Sequence, residues 1–412
     1  MQVLYISYDG MTDNLGQSQV IPYLIGLSKS GYEITLVSCE KKELYKSKQP
    51  IIESVLNNNN INWQPVLYST LPSVLSKLKN LRLIKHQIKK LPNTQTIEIV
   101  HCRSYMAALI GLFVKKNYGA KFIFDMRGFW ADERIDGGIW NKNNKLHRKM
   151  YSFFKKKELE FIQQADYTIS LTESAKKEIN SWERFKGKLL PIEVIPCCVD
   201  LELFNPKLIE KEDTTILKSR LGVDDSNFVI CYLGSIGTWY MLDEMLDFFI
   251  ILKAKKKNAK FLFITPDHKQ GIINKAKEKR ISLHDIIIQS ATRNDVPKLL
   301  SLADLAIYFI KPVYSKKASS PTKMGELMAM GIPIITNTGI GDSDSILNDT
   351  KSGVLVNKFD MPGYQKAVKE LDVLLKLDKM AIRKAAEKYY SLTNGIQLYL
   401  STYKKLRKKK IT

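Results

Sequence analysis

The sequence has little cysteine and little histidine, and both are scattered. It contains 5 cysteines and 5 histidines in 412 residues. No two cysteines stand at CxxC spacing, and the histidines lie nowhere near the spacing of metal ligands. Disulfide scaffolds and structural zinc sites both need such clusters, so we expect reduced thiols and no structural zinc.

Long hydrophobic runs are also missing. No run reaches the roughly 18 apolar residues that a membrane-spanning helix needs. The N-terminal stretch MQVLYISYDG reads directly as a strand and not as a signal peptide. These two absences predict a cytoplasmic chain without a transmembrane helix.

The sequence has fewer acidic than basic residues. Lysine and arginine number 64 against 42 aspartates and glutamates, which gives a net charge of +22 at pH 7. Such a surplus attracts nucleic acid, acidic lipid headgroups or phosphorylated substrates. The lysines are spread over many predicted helices without an RNA-binding motif or a basic stripe interleaved with aromatics, so we expect no nucleic-acid partner.

Two domains of about 200 residues are predicted from the length. In both halves, apolar runs of strand length alternate with helical patterns. The runs are VLYISY, EITLVS, IEIVHC, KFIFD and YTISL, then FVICYL, KFLFIT, DIIIQS, DLAIYF and IPIITN. Nearly continuous apolar strands separated by helices are typical of parallel sheets covered on both faces. The sequence therefore predicts an α/β protein with two Rossmann-like domains.

The domain boundaries follow from the polar stretches. Residues 204–227 are polar and charged and contain no strand pattern, which is typical of an interdomain linker. We therefore expect a first domain at residues 1–203 and a second at 228–387. A terminal helix of about residues 388–412 is expected to return to the first domain.

The stretch SSPTKMGELMAMGIPI, which begins at Ser319, predicts an anion-binding helix start. Ser320 is the expected N-cap, with Pro321 at the first helical position. Free amides of the first turn would converge with side-chain donors on a phosphate or diphosphate. Those donors are Ser319, Ser320, Thr322 and Lys323. Glu326, one turn later, could accept two ribose hydroxyls. Plain helix capping beside a solvated lysine remains the alternative.

The loop DGMTDNLGQ follows the first predicted strand, at the position of a phosphate-binding loop. It contains Asp9, Gly10 and Gly16, and its glycines permit close approach of backbone to ligand. A plain flexible turn is the alternative reading of this pattern.

Charge is dense in FDMRGFWADERIDGGIW, directly after another predicted strand. The segment contains Asp125, Arg127, Asp132 and Glu133. Charge at the carboxyl end of a strand indicates a site, and a salt-bridged loop is the alternative. The preceding strand ends with His101 and Arg103, and a lone histidine there can equally be structural.

Asp342 and Asp344 in GDSDS have the spacing of an Asp-x-Asp metal motif. They precede a short helical pattern, so they are better explained as helix caps. We expect no metal ion.

The stretch SSPTKMGELMAMGIPIITN resembles the donor-binding segment of family 4 glycosyltransferases, which are retaining enzymes of the GT-B fold. Further resemblance lies in YDGMTDNLGQSQVIPYLIGLSKSGYEITLVS, CVDLELFNP, YLGSIGTWYMLDEML and YYSLTNGIQLYLSTYKKL. SYDG, LGQSQ and RGFWADER are similar to a branch found in bacterial surface-polysaccharide biosynthesis. The resemblance implies two Rossmann-like domains whose parallel sheets face across a cleft.

The resemblance also implies an activity. A hexose-type sugar would move from a nucleotide diphosphate, a UDP-sugar, to a lipid-linked or saccharide acceptor, without a cofactor or a metal. A sugar-nucleotide 2-epimerase of the same fold and a non-enzymatic binder of anionic surfaces are the alternatives.

Site residues follow from the same resemblance. The catalytic residues would be Asp125, Arg127 and Lys323. Donor binding would involve Gly16, Arg293, Ser319, Ser320, Thr322, Lys323 and Glu326. Acceptor binding would involve Asp9, Gly10, His101, Arg103, Asp132 and Glu133.

The sequence departs from the family pattern at several of these positions. Ala318 replaces the first of two glutamates, and Ser235 and Tyr240 replace the arginine and lysine that clamp the diphosphate. Arg293 and Lys323 are the expected substitutes for that clamp, although Arg293 could also be a plain surface residue. A histidine found near Asp125 in many members is absent, and His101 is the nearest alternative.

A peripheral position at the inner face of the cytoplasmic membrane is expected from the segment TLPSVLSKLKNLRLIKHQIKKL and from the terminal KKLRKKK. In the segment, apolar residues from Leu71 and Val74 to Leu91 recur at helical spacing among lysines. A helix packed on the core, with a solvated basic face, is the alternative.

Overall fold

The computed structural model describes residues 1–69, 73–92 and 94–407, with side chains from residue 76 in the second range. The chain divides into two compact units. The first unit contains residues 1–196 and 392–412, and the second contains residues 197–391.

The first unit is a parallel sheet flanked by helices. Its strands are β1 Gln2–Ser7, β2 Glu33–Glu40, β3 Ile61–Leu67, β4 Ile99–Arg103, β5 Lys121–Asp125, β6 Tyr167–Ser170 and β7 Ile192–Val194, in the order β3-β2-β1-β4-β5-β6-β7. Its helices are α1 Asn14–Gln19, α2 Ile21–Lys29, α3 Lys42–Asn57, α4 Ser73–Lys89, α5 Ser104–Tyr118, α6 Trp130–Asp136, α7 Lys145–Gln164, α8 Glu173–Ser181 and α17 Leu392–Leu406. The central strands are buried on both faces, as the continuous apolar runs predicted.

The second unit repeats this architecture. Its strands are β8 Phe228–Leu233, β9 Ala259–Ile264, β10 Ile286–Gln289, β11 Leu305–Ile307, β12 Ile334–Asn337 and β13 Gly353–Val356, all paired in parallel in the order β10-β9-β8-β11-β12-β13. Its helices are α9 Lys211–Leu221, α10 Leu242–Lys255, α11 Lys269–Glu278, α12 Val296–Leu300, α13 Thr322–Ala329, α14 Ser343–Thr350, α15 Met361–Leu374 and α16 Lys379–Tyr390. Two parallel α/β sheets confirm the predicted fold class.

The boundaries differ from those expected. The first unit ends at Pro196, and the supposed linker at 204–227 lies inside the second unit, where it forms α9. A surface helix such as α9 has a mostly polar sequence, because only one of its faces is covered by the protein. Arg383 fixes the chain before α9 by donating hydrogen bonds to the carbonyl oxygens of Phe204 and Leu201.

The last helix, α17, packs against α2 of the first unit. Gly26 makes this contact possible, because a Cβ there would lie 2.5 Å from Cδ1 of Ile396. The helix starts at Leu392, a few residues later than the sequence suggested.

Helix α4 contains most of the segment that was expected to bind the membrane, and its apolar residues differ in exposure. Ile84 and Ile88 are fully buried, while Leu78 is 51% exposed. Most of the described apolar stripe is therefore covered by the first unit. Leu71, the side chain of Val74 and the lysines of residues 408–410 lie outside the described residues.

Candidate functional sites in the two units

Both sheets change direction at a central strand. In the first unit, strand order reverses between β1 and β4, and in the second between β8 and β11. Ligands of open α/β sheets bind at the carboxyl ends of the strands beside such a switch point. Most of the predicted site residues lie at these two places.

Asp125, at the end of β5, is the centre of a buried polar cluster in the first unit, and its side chain is 0% exposed. Nη1 of Arg127 lies 3.7 Å from Oδ1, and Nε2 of His101 lies 3.6 Å from Oδ2. Nη1 of Arg103 lies 4.0 Å from Oδ2, and the hydroxyl of Tyr399 donates a hydrogen bond of 3.2 Å to the same oxygen. The cluster joins residues from the ends of two neighbouring strands, β4 and β5, and from α17.

The charges of this cluster follow from burial and pairing. Burial alone would raise the pKa of Asp125, but the Arg127 charge, the His101 contact and Arg103 outweigh burial and lower it. Burial lowers the pKa of His101, against the opposing influence of Asp125. At neutral pH the cluster therefore holds an ionised aspartate, a neutral histidine and two guanidinium groups.

The backbone at Arg127 is unusual. Its φ is 57°, and that of Gly128 is 132°, so the chain turns sharply after β5. Positive φ at a non-glycine residue is uncommon and needs support from its surroundings. Here the turn places the guanidinium group beside Asp125, and Arg127 stays partly accessible.

The loop after β1 lies at the same edge. Nε of Arg103 lies 3.5 Å from Oδ2 of Asp9, whose side chain is 43% exposed. Gly16 is required by the packing of α1 on this loop, since a Cβ there would lie 2.2 Å from the carbonyl oxygen of Gly10. Asp9 is therefore the accessible member of the polar group around Asp125.

Glu40, which the sequence analysis missed, holds this loop in place. Its buried carboxylate accepts hydrogen bonds from the amides of Met11 and Thr12, at 2.8 and 3.1 Å, and from the hydroxyls of Thr12 and Ser38. A glutamate that ends a buried strand was the available signal, because buried carboxylates need partners.

Asp132 has its hydrogen-bond partners outside the Asp125 cluster. Asp132 faces α7, where it accepts hydrogen bonds from Tyr151 at 2.8 Å and Lys155 at 2.9 Å. Glu133 follows on α6 and is half-buried. For Asp132, the salt-bridged alternative is the one that the structure supports.

Lys323 is the most unusual residue of the second unit. It lies in the first turn of α13 and is buried, yet within the described part of the chain its Nζ has no hydrogen-bond partner. Three tyrosine rings surround Nζ, with centroids at 3.5 Å for Tyr240, 4.1 Å for Tyr232 and 5.8 Å for Tyr308. Aromatic faces attract an ammonium group, but they do not accept its hydrogen bonds as an anion would.

Burial lowers the pKa of Lys323 well below its ordinary value, although Glu326 and Asp267 oppose this change. A bound anion would favour the charged amine. Tyr232 lies in β8 and Tyr308 directly follows β11, and both were missed in the sequence because such positions look like ordinary core.

Glu326 and Arg293 pair with each other. Nη1 of Arg293 donates a hydrogen bond of 2.8 Å to Oε1 of Glu326, and its guanidinium carbon lies 5.2 Å from the ring centroid of Phe204. Arg293 is therefore neither a plain surface residue nor an unpaired cation. The pairing occupies one oxygen of Glu326.

The start of α13 differs from the predicted one. Its N-cap is Pro321, and the helix begins at Thr322, not at Pro321. Ser320 was expected to cap the helix, but its hydroxyl accepts a hydrogen bond of 3.1 Å from the amide of Cys197. Ser319 and Thr322 are half-buried beside this start.

Asp342 is the N-cap residue of α14, and Asp344 lies in its first turn, where its carboxylate accepts hydrogen bonds from the amide of Gly339. Among the described residues, no three His, Cys, Asp or Glu side chains are grouped so that they could hold a metal ion. In the same part of the chain, no helix is long and apolar enough to cross a membrane.

The chain matches two family models. Residues 20–203 match "Glycosyltransferase Family 4", and residues 213–388 match "Glycosyl transferases group 1". A Bacillus subtilis (strain 168) protein named as a teichuronic acid biosynthesis glycosyltransferase is 26% identical over 216 residues, which are 52% of this chain and 49% of the relative. The match thus spans about half the length of that curated relative.

Solved structures share the whole fold. A glycosyltransferase from Rickettsia africae ESF-5 aligns with a TM-score of 0.71 at 18% identity, over 99% of both chains. Anabaena HepE in complex with UDP-glucose aligns with a TM-score of 0.68 at 12% identity, over 98% of this chain and 100% of that one. The two family models and these full-length alignments lead to one assignment: the chain belongs to the family 4, or group 1, glycosyltransferases and has their GT-B fold.

Proposed function

We propose that the protein is a retaining, metal-independent hexosyltransferase that uses a UDP-sugar donor. Its acceptor is a lipid-linked or saccharide molecule of cell-surface polysaccharide biosynthesis, reached at the inner face of the cytoplasmic membrane. The name of the Bacillus subtilis relative and the UDP-glucose bound to Anabaena HepE support the choice of pathway and donor.

The observation that carries the proposal is the buried Lys323, whose Nζ lacks a hydrogen-bond partner among the described residues. A buried amine without such a partner is unfavourable, and proteins retain one mainly where a ligand completes it. The first-turn amides of α13 face the same ligand. A diphosphate would supply the missing acceptor oxygens for both.

Glu326 lies one turn further along α13. Its Oε1 is held by Arg293, which leaves Oε2 to accept the hydroxyls of the donor ribose. Arg293 therefore acts as a positioning residue that fixes the carboxylate and does not clamp the diphosphate itself. Charge-assisted hydrogen bonds of this kind are strong and directional.

The reaction needs no nucleophile from the protein. The bond between C1 of the sugar and the diphosphate oxygen breaks, and C1 forms a bond to the acceptor oxygen on the same face. The proton of the acceptor hydroxyl passes to the departing phosphate oxygen. Lys323 stabilises the negative charge that develops on this leaving group.

In the first unit, Asp125 is too deeply buried to contact a substrate. Its carboxylate instead holds Arg127 and Arg103 in place, and Arg103 in turn lies beside the exposed Asp9. Arg127 and Asp9 are therefore the groups that we assign to substrate contact, with Asp125, His101 and Arg103 behind them.

The purified protein should be screened with a panel of nucleotide sugars for slow release of free nucleotide, in buffer with EDTA. One UDP-sugar should be hydrolysed, and Lys323→Met should lose most of this activity while keeping its fold. In transfer assays with lipid-linked acceptors, NMR of the product should show the donor's anomeric configuration. Release by Lys323→Met at the wild-type rate, or an inverted anomer, would overturn the proposal.

A further inference from the structure

Helix α7 of the first unit has two different faces. Its inner face packs on the unit through Phe154, Glu158 and Phe161, which are buried. The opposite face carries exposed residues at helical spacing, namely Lys145, Leu146, Lys149, Phe153 and Lys156. We call these five residues the α7 face.

The α7 face is apolar as well as basic. Leu146 is 54% exposed and Phe153 46% exposed, and they are seven residues apart, which places them on the same side of the helix. The lysines flank them at positions 145, 149 and 156. Large apolar side chains this exposed within a charged helix face are typical of a surface that binds something.

The charge around this face is unbalanced. Residues 137–157 contain no aspartate or glutamate. Exposed cations whose side chains have no ion-pair partner among the described residues are Lys142, Lys145, Arg148, Lys149 and Lys156. The segment therefore projects positive charge that the protein does not neutralise.

The surface is held in shape by its neighbours. Asn144 caps α7 by accepting hydrogen bonds from the amides of Leu146 and His147. The preceding loop is fixed by Trp140, whose ring centroid lies 5.5 Å from that of Trp130 and 6.0 Å from that of Phe154. Little ordering is needed when a partner binds such a preformed surface.

We propose that the α7 face docks on an anionic lipid bilayer. The lysines would lie at the headgroups, while Leu146 and Phe153 would enter the boundary with the acyl chains. A nucleic acid would satisfy the lysines but would give an aliphatic side chain such as Leu146 nothing to contact. The proposal rests on the membrane part of the proposed function, and its test measures binding and not catalysis, so that the two can fail separately.

Helix α4 is a weaker candidate for this role. Its Ile84 and Ile88 are fully buried, so they cannot enter a bilayer while the unit stays folded. Lys85 and Lys89 lie over the ring of Phe113 at 4.9 and 5.7 Å. The structure therefore favours α7 over the helix that the sequence pattern suggested.

The test is co-sedimentation of the full chain with phosphatidylglycerol vesicles and with phosphatidylcholine vesicles, at low and high salt. Each lysine near an anionic surface contributes about 1 kcal/mol, or roughly a fivefold change in affinity. The triple variant Lys145→Gln, Lys149→Gln, Lys156→Gln should therefore bind anionic vesicles about 100-fold more weakly. Leu146→Ser with Phe153→Ser should also weaken binding, and this loss should persist at high salt, because apolar insertion is not screened.

The region of helix α15 in the second unit provides a matched control, since Lys366 and Lys369 on α15, and Lys376 two residues after its end, are exposed and Val373 is 72% exposed. The same triple Lys→Gln change there, and Val373→Ser, should leave vesicle binding within about twofold of wild type, because α15 has no place in the proposed contact. The thermal unfolding midpoint should be unchanged in all variants, which confirms folding. Equal losses of vesicle binding in the α7 and α15 variants would overturn the proposal. So would a loss of binding that appears only in the α4 variants Lys79→Gln and Arg82→Gln, or a wild-type protein that does not bind vesicles.

Discussion

Tyr240 and Lys323 form a cation–π pair in which Nζ of the lysine lies 3.5 Å from the centroid of the phenol ring. Tyr240 occupies the position where many family members have a lysine. In this chain Nζ of Lys323 reaches the ring of Tyr240 from α13.

The ring of Tyr240 should support the charged form of Lys323. A buried cation–π contact contributes up to about 2 kcal/mol. Tyr240→Leu should therefore weaken UDP binding by about tenfold, measured by calorimetry, whereas Tyr240→Phe keeps the ring and should stay within about twofold of wild type. Equal losses in the two variants would indicate that the hydroxyl matters and not the ring.

UDP binding should strengthen as pH falls. Because burial lowers the pKa of Lys323, the free protein carries less charge there at high pH, and the diphosphate binds the protonated amine. Binding should take up a proton, which shows as a dependence of the calorimetric enthalpy on the buffer. Lys323→Met retains only the pH dependence of UDP itself, so an unchanged profile in this variant would contradict the assignment.

Glu326 should recognise the ribose. Loss of a charged hydrogen bond costs about 1.5 to 3 kcal/mol, or one to two decades in affinity. Glu326→Ala should therefore bind UDP 10- to 100-fold more weakly, by that same conversion, and should no longer distinguish UDP from its 2′,3′-dideoxy analogue. Arg293→Met should keep part of this discrimination, because the carboxylate remains. Discrimination equal to wild type in Glu326→Ala would rule out the ribose contact.

Asp125 should stabilise the first unit in a pH-dependent manner. Its pKa is lowered in the folded state, so its contribution is complete above the unfolded pKa of about 3.9 and is lost as pH falls through the folded value. Asp125→Asn leaves buried guanidinium groups poorly paired and should lower the free energy of unfolding at pH 7 by about 3 to 5 kcal/mol. Denaturant unfolding between pH 3 and 7 should show the two proteins converging at acid pH.

Asp225 offers the control for that experiment. It pairs with Lys218 at 2.6 Å but is 94% exposed, so Asp225→Asn should change stability by less than about 1 kcal/mol at any pH. A loss as large as that of Asp125→Asn would mean that overall charge, and not the buried cluster, sets the acid sensitivity.

Glu40 should hold the loop after β1. In Glu40→Ala the buried amides of Met11 and Thr12 lose their acceptor, at about 1 to 3 kcal/mol each. Hydrogen exchange at these two amides should become faster by at least an order of magnitude, while exchange in the second unit should stay unchanged. Unaltered protection in the loop would show that other contacts suffice.

The sequence by itself determined the fold class, because nearly continuous apolar runs of strand length report burial on both faces of a strand. Continuous apolar runs can be buried on both faces only in parallel sheets covered by helices, and both sheets have this form. The sequence also indicated which strand ends carry polar residues. Asp125 ends the apolar run KFIFD, and His101 lies near the end of IEIVHC. Lys323 and Glu326 were predicted as donor-site residues from their positions at the start of one short helix.

Only the tertiary structure decided which of these residues meet. Asp125 gains His101 from β4 and Tyr399 from α17, whereas Asp132, seven residues after Asp125, turns to α7. Pairing of Glu326 with Arg293 joins residues 33 positions apart, which no local pattern encodes. Likewise, α4 and α7 are both lysine-rich helices with apolar residues, and only the packing shows that Ile84 and Ile88 of α4 are covered whereas Leu146 and Phe153 of α7 are exposed.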